Sequence, residues 1–403
     1  MHGGKESYVK DFALSCQPFL YFNNERFCSC DVDFNNDFFA EAWAASHKNG
    51  VSGVCSKNGE FVFLDDLIAG HPFEMLGHNA NLNVLAKVLS VDKPLSIQAH
   101  PSAQKAKELH ILDSSQYDSN PKPEALIALT DVELLCGFCK PTKILNSIKS
   151  IEQFKSLFSA NDMSLLESMC VDGKEELFLK FVCRQVLSDE ELACKLSVSL
   201  YNDIEKKKKR SNEEEWIYNI RQLYPHGDVG IFFFYILNLL TLKSGQCMFI
   251  ESGKLHAYLS GQLLECMCNS DNTLRAGLTD KPKDVDALID VADFSVSDSF
   301  VVETSIRENG SKEFIFPNDS FFRVFELSAG KDSLGNSIPC QFVCENESLE
   351  FLLILNGIGY IEFNSEFSQS LIFKTPSMFI VPACIKKYCI NITKGYVYRI
   401  GML

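Results

Sequence analysis

The chain has 403 residues, 46% hydrophobic and 23% charged, with 32 phenylalanines and a formal net charge of −15. That length is enough for about two or three domains with aromatic-rich cores. The acidic balance excludes a general nucleic-acid binder, which needs a basic footprint, but not a locally positive pocket for a small anion.

The start, MHGGKESYVKD, is polar and carries no secretory signal pattern. From there to about residue 140, short apolar runs alternate with Gly, Pro and Asn breaks. Asn83–Val91 (NVLAKVLSV) and PLSIQAH read as strands, Ser102–Asp113 as a short helix capped by Ser102, and Pro123–Thr130 as a strand again. Between about 145 and 222 the apolar residues recur at steps of three and four, which is helical spacing. The run Lys206–Arg210 (KKKKR) is followed by Glu213–Glu215, and charge pairing on a solvated helix face or loop accounts for both. After Pro225 short β-runs resume, with a turn expected at Gly261. The longest apolar run, Val229–Leu240, is too short to span a bilayer and carries Asn238. A helical block is therefore expected between two β-rich parts that resemble barrels or jelly rolls.

The 16 cysteines are scattered. Cys136 and Cys139 have CxxC spacing, and the pairs Cys28/Cys30 and Cys266/Cys268 have CxC spacing. No second CxxC exists to complete a four-thiolate zinc site. Reduced cysteines fit best, and with them a reducing, cytoplasmic setting.

Three polar groupings interrupt apolar strands. Gln98 and His100 stand two apart in LSIQAHP, so they share a strand face about 6.5–7 Å apart. Such a pair must be hydrogen-bonded, solvated or bound to something. Lys122 and Glu124 flank Pro123 at the start of the next strand. His256 and Tyr258 open a third, followed by Glu265, Arg275 and Lys281. Each grouping alone reads as paired polar residues. Together, Gln98, His100, Glu124 and His256 form a donor set suited to zinc, iron or manganese, with the carboxamide as the less usual ligand. The other histidines, His2, His47, His71, His78, His110 and His226, read as structural or exposed.

The blocks KVLSVDKPLSIQAHP, PKPEALIALT followed by LLCGF, YPHGDVGIF, and HAYLSGQLLECMCNSDNTLRAGLTDKPKDV closely resemble the type I mannose-6-phosphate isomerase family of the cupin superfamily. The resemblance covers about residues 40–300 and, more weakly, the C-terminal part. It implies a mainly β protein with a helical insertion, built as a catalytic cupin (jelly-roll) domain plus a second, cupin-like domain. The boundaries would be 1–144 with 226–300 for the catalytic domain, 145–225 for the insertion and 301–403 for the last domain. It implies one Zn²⁺ per chain on Gln98, His100, Glu124 and His256. Arg275 would be catalytic, and Lys122, Tyr258, Glu265 and Lys281 would line the substrate cleft. Glu265 is the base candidate, and orienting Lys281 or a water is its alternative role. The implied activity interconverts mannose 6-phosphate and fructose 6-phosphate through a cis-enediol and supplies GDP-mannose synthesis. A monomer acting on a small sugar phosphate, without nucleic acid or membrane, is expected. A non-catalytic metal- or sugar-phosphate-binding cupin is the rival reading.

The chain departs from the family pattern in four places. The family's usual first strand has no evident counterpart at MHGGKES. Glu41–Gly50 (EAWAASHKNG) differs from the usual Glu-Leu-Trp-Met-Gly-Thr-His-Pro while keeping His47. Lys254 and Leu255 precede His256 where Glu and Pro are common, and Ala125 replaces a common Met. None of these removes a donor.

Overall fold

The computed structural model describes residues 19–22, 25–28, 40–47, 50–55, 61–297, 300–317, 320–363, 369–374 and 376–403. The opening segment MHGGKES and Cys30 lie outside these. The strands that matter for the site are β1 (Glu41–Ala44), β2 (Val84–Val91), β3 (Ile97–Ala99), β4 (Glu124–Ala128), β5 (Val132–Phe138), β6 (Leu237–Leu242), β7 (Cys247–Ile250), β8 (His256–Cys268) and β9 (Leu274–Gly277).

These strands form a two-sheet barrel through one shared strand. The first half of β8 pairs with β5 and β3, extended by β6 and β9. Its second half pairs with β4 and β2, extended by β7 and β1. Here the structure corrects the sequence reading. Gly261 does not end a strand; it lies inside a continuous one, at φ +106°, where β8 passes from one sheet to the other. A Cβ there would sit 2.4 Å from the Asp131 carbonyl oxygen, so only glycine fits.

Alternation along β8 then decides what faces where. Ala257 and Leu259 point outward into a large core with the helices, which run from Pro141 to Ile220. On the other sheet, Ala125, Ile127, Leu264 and Cys266 point outward against Phe322, Phe351, Leu353 and Ile400 of a second, 8-stranded sheet. The barrel is thus covered on one side by helices and on the other by a second β unit. That explains why its strands read as nearly unbroken apolar runs. The fold is mainly β with a helical insertion, as expected.

Three local features differ from or refine the expectation. The apolar run Val229–Tyr235 is a fully buried 3-10 helix, and only Leu237–Leu242 beyond it is strand. Asn238 donates to the carbonyls of Cys136, Gly137 and Phe138 at 3.3, 3.1 and 3.0 Å, which closes the irregularity at the end of β5. The KKKKR run lies between the helices Glu190–Glu205 and Asn212–Ile220, where Lys207 pairs with Glu214 and Arg210 with Glu215. The helix Ala103–Leu112 is capped by Ser102, whose hydroxyl accepts from the Lys105 N–H. Among the described residues no helix is long and apolar enough to cross a membrane.

Candidate active site

Register brings the singled-out residues into two rows. Across one sheet, Cys136, His256, Gln98 and Arg275 stand side by side on β5, β8, β3 and β9. Directly opposed residues of antiparallel strands project to the same face. Across the other sheet, Leu126, Glu265, Lys87 and Trp43 stand side by side on β4, β8, β2 and β1. Both rows face the barrel interior. Around them Leu89, Leu134, Met248, Tyr258 and Leu263 fill it with packed side chains.

At the mouth, His100, Glu124 and His256 converge. One donor atom from each lies within 4.8 Å of the others, and the residues are 2%, 1% and 0% exposed. The His100 Nδ1 meets the Asn272 carbonyl at 2.6 Å and the His256 Nδ1 meets the Lys254 carbonyl at 2.9 Å. A carbonyl only accepts, so both Nδ1 atoms carry the proton. Burial, helped by the Lys122 charge, lowers the His100 pKa to about 4, so this imidazole is neutral and its Nε2 holds a bare lone pair. Both Nε2 atoms lie 3.2 Å from Glu124 carboxylate oxygens, and neither has a hydrogen-bond partner. Although burial opposes it, the neighbouring Lys122 ammonium, 3.0 Å from Glu124 Oε1, helps hold Glu124 ionised well below the usual carboxylate range.

A lone pair aimed at an anionic oxygen in a buried site is repulsive unless a cation lies between them. The residues therefore fit a divalent metal, with each imidazole fixed by its second nitrogen as metal-binding histidines usually are. Gln98, half-buried, stands opposite His256 in the register, and its amide oxygen lies 3.5 Å from Ser96 Oγ.

The polar groups around this set divide by what satisfies them. The Tyr258 hydroxyl donates to Glu265 Oε1 at 2.7 Å and lies 3.5 Å from Glu124 Oε2. Burial, then the Glu265 charge, raises the Tyr258 pKa well above its ordinary value. Glu265 Oε2 takes the Lys87 ammonium at 2.8 Å, with Glu41 behind it at 3.7 Å. Both oxygens of Glu265 are thus engaged by residues other than Lys281. Arg275 is half-buried and, among the described residues, has no hydrogen bond or ion pair from its guanidinium; burial lowers its pKa. Lys281 is exposed in the segment after β9, and no hydrogen bond or ion pair joins it to the cluster.

Lys87 and Asn272 escaped the sequence reading. The signal for Lys87 was available: a lone ammonium in the middle of VLAKVLSV must be paired to be buried. Asn272 acts through its backbone carbonyl, which no side-chain pattern reveals. His47, in the altered 41–50 stretch, is buried, with Nε2 3.4 Å from Asp271 and its ring edge-on to Trp43. The twelve cysteines from Cys136 to Cys389 are free thiols.

A barrel of two antiparallel sheets with an inward His/Glu/His set at its mouth defines a cupin with a metal-binding site. Residues 28–141 match the family described as phosphomannose isomerase type I, catalytic domain. The human mannose-6-phosphate isomerase is 37% identical over 337 residues, 79% of this chain and 78% of that protein. A probable mannose-6-phosphate isomerase of Caenorhabditis elegans is 37% identical over 261 residues, 64% of this chain and 62% of that protein. A mutant phosphomannose isomerase from Salmonella typhimurium shares the fold with TM-score 0.79 at 22% identity, over 99% of this chain and 96% of that one. A zinc-bound mannose 6-phosphate isomerase does so with TM-score 0.78 at 23% identity, over 100% and 96%. The chain belongs to this enzyme family, the type I mannose-6-phosphate isomerases.

Proposed function

We propose that the chain interconverts mannose 6-phosphate and fructose 6-phosphate, with one zinc ion held by Gln98, His100, Glu124 and His256. The observation that carries this reading is the pair of Nε2 atoms, of His100 and His256, that face Glu124 at 3.2 Å without a hydrogen-bond partner. They share a barrel mouth with Arg275, whose guanidinium has no hydrogen bond or ion pair among the described residues. Zinc bound there would supply Lewis acidity toward sugar oxygens and help orient them.

The chain's own residues do the rest. After ring opening, Glu265 takes the proton from C2 and returns it to C1, by way of a cis-enediol, while the hydroxyl proton of O2 passes to O1. Tyr258 and Lys87 keep its two oxygens in place. Arg275 donates to the oxygen on which charge develops and cannot lose its own proton at any working pH. Lys122 and Lys281 bind the phosphate as point charges. In this reading residues 1–144 with 226–300 are the catalytic unit, 145–225 the insertion and 301–403 a covering domain. In the direction that forms mannose 6-phosphate the reaction supplies GDP-mannose synthesis, and the protein acts as a cytoplasmic monomer.

The test is a coupled assay for fructose 6-phosphate from mannose 6-phosphate, with chelator and after zinc is restored. Turnover that disappears with chelator and returns with zinc supports the proposal. Zinc binding without turnover would replace it with the non-catalytic cupin.

A further inference from the structure

Asp228 is a buried carboxylate with no part in the chemistry above. It lies in the connection from the helices back to the barrel and is 7% exposed. Its Oδ1 accepts from the N–H of Gly230 at 2.6 Å and of Leu278 at 2.7 Å, and its Oδ2 from that of Thr279 at 3.3 Å. Among the described residues it has no ion pair. Its own N–H donates to Ser197 Oγ at 3.1 Å, on the helix Glu190–Glu205. A carboxylate buried against backbone amides alone is there to hold those amides.

What it holds is strained. Leu278, at φ +54°, is the one non-glycine among the described residues in the left-handed region, which branched side chains avoid. Its N–H is taken by Asp228, and its carbonyl accepts from the Tyr224 hydroxyl at 3.1 Å. Just before it, Gly277 lies so close to Gly230 that a Cβ would come within 2.5 Å of the Gly230 Cα. Arg275 stands three residues before Leu278 on β9. Among the described residues that strand pairs with β3 alone, and its register slips between Arg275 and Gly277. With no ion pair of its own among the described residues, Arg275 takes its direction from this backbone.

We infer that Asp228 is a positioning residue, whose carboxylate locks the left-handed turn at Leu278 and thereby aims Arg275 into the site. The inference rests on the isomerase reading, in which Arg275 touches the reacting oxygens. A displacement of about 1 Å in such a group costs about 10²-fold in rate.

The experiment uses the zinc-supplemented full chain and places Asp228→Ala and Asp228→Asn in wild-type and Arg275→Ala backgrounds. Turnover, KM, bound zinc and hydrogen exchange of the peptide covering 275–281 are read for each. In the wild-type background, Asp228→Ala lowers kcat by about 10²-fold, leaves bound zinc unchanged and speeds exchange at Leu278 and Thr279. Asp228→Asn, which keeps one carbonyl acceptor, falls between. In the Arg275→Ala background the same substitutions change kcat little, because residues acting as a unit are non-additive. Equal factors in both backgrounds, or near-normal kcat for Asp228→Ala, would overturn the inference. If Asp228→Ala does not fold, Tyr224→Phe, which removes only the bond to the Leu278 carbonyl, makes the same comparison with a smaller factor. Absence of isomerisation by the wild-type protein with zinc would instead remove the isomerase reading, and exchange at Leu278 would still report on the clamp.

Discussion

Replacing Arg275 with alanine separates chemistry from stability in this site. The guanidinium is half-buried beside Gln98 and has no carboxylate partner among the described residues, so its removal leaves no orphaned anion. The stability change is therefore expected to stay within about 1 kcal/mol, as for substitutions that break no network. The donor atoms that lie within 4.8 Å of one another belong to His100, Glu124 and His256, so bound zinc is retained. Loss of one donor to a developing oxyanion typically costs about 10²–10³ in kcat, or about 2.7–4 kcal/mol. Arg275→Lys recovers part of this, since an ammonium supplies charge but not the planar fork. The measurements are kcat and KM from the coupled assay, zinc by atomic spectroscopy and a urea midpoint on each variant. A rate close to wild type with zinc in place would remove Arg275 from the mechanism. A raised KM with unchanged kcat would reassign it to ground-state binding.

The other predictions follow from the same contacts. His256→Ala loses bound metal and turnover together, since its partnerless Nε2 faces Glu124 at 3.2 Å; full metal occupancy by direct analysis would refute the donor assignment. The chelated protein loses stability as the pH falls from about 6.5 towards 4. His100 titrates at about 4 in the folded state but near about 6.5 unfolded, so the unfolded chain takes up the proton first; the loss is about 3 kcal/mol. Glu124, also depressed, adds to this below its unfolded value of about 4.3. Equal urea midpoints at pH 7.5 and pH 4.5 would contradict it. Lys87→Met strands Glu265, which is 2% exposed and 2.8 Å from the lost ammonium, and costs about 3–5 kcal/mol. Adding Glu265→Gln restores most of it, and a double variant no more stable than the single one would show that the pair is not the cause.

What could be read in the sequence, and what could not, divides along the range of the forces involved. Gln98 and His100 declared a shared face because strand alternation is local. The helical block declared itself through its period. Glu124 and His256 stood out as polar residues inside apolar runs, and these are costly to bury alone. Gly261 misled because a glycine inside an apolar run signals a turn locally; its actual role, letting β8 cross between sheets, depends on the Asp131 carbonyl more than a hundred residues away in the chain. Val229–Tyr235 carried no usable period, since a segment buried on every side has no polar face to mark one. The clamp on Leu278 was equally hidden: Asp228 and Leu278 are fifty residues apart in sequence.

The second β unit shows what distinguishes the site from its surroundings. Its core holds a cluster of the same residue types as the barrel: Glu350, fully buried, accepts from the Tyr388 hydroxyl at 2.7 Å and from Arg399 Nε at 2.9 Å and Nη2 at 2.6 Å. Every oxygen there is taken, and the bidentate arginine completes the set. The barrel has its own closed trio in Tyr258, Glu265 and Lys87. Beside that trio, however, two imidazole nitrogens and the Arg275 guanidinium are left without hydrogen-bond partners among the described residues. A satisfied buried cluster fixes packing and register; an unsatisfied one persists only if something else completes it. Single unpartnered atoms occur elsewhere, such as Arg323 Nε and Asn346 Oδ1, but at the barrel mouth two of them converge on one carboxylate, and that convergence is what marks the binding site. The second unit contributes the apolar face that covers the outer side of β2 and β4, and so keeps Lys87 and Glu124 facing inward.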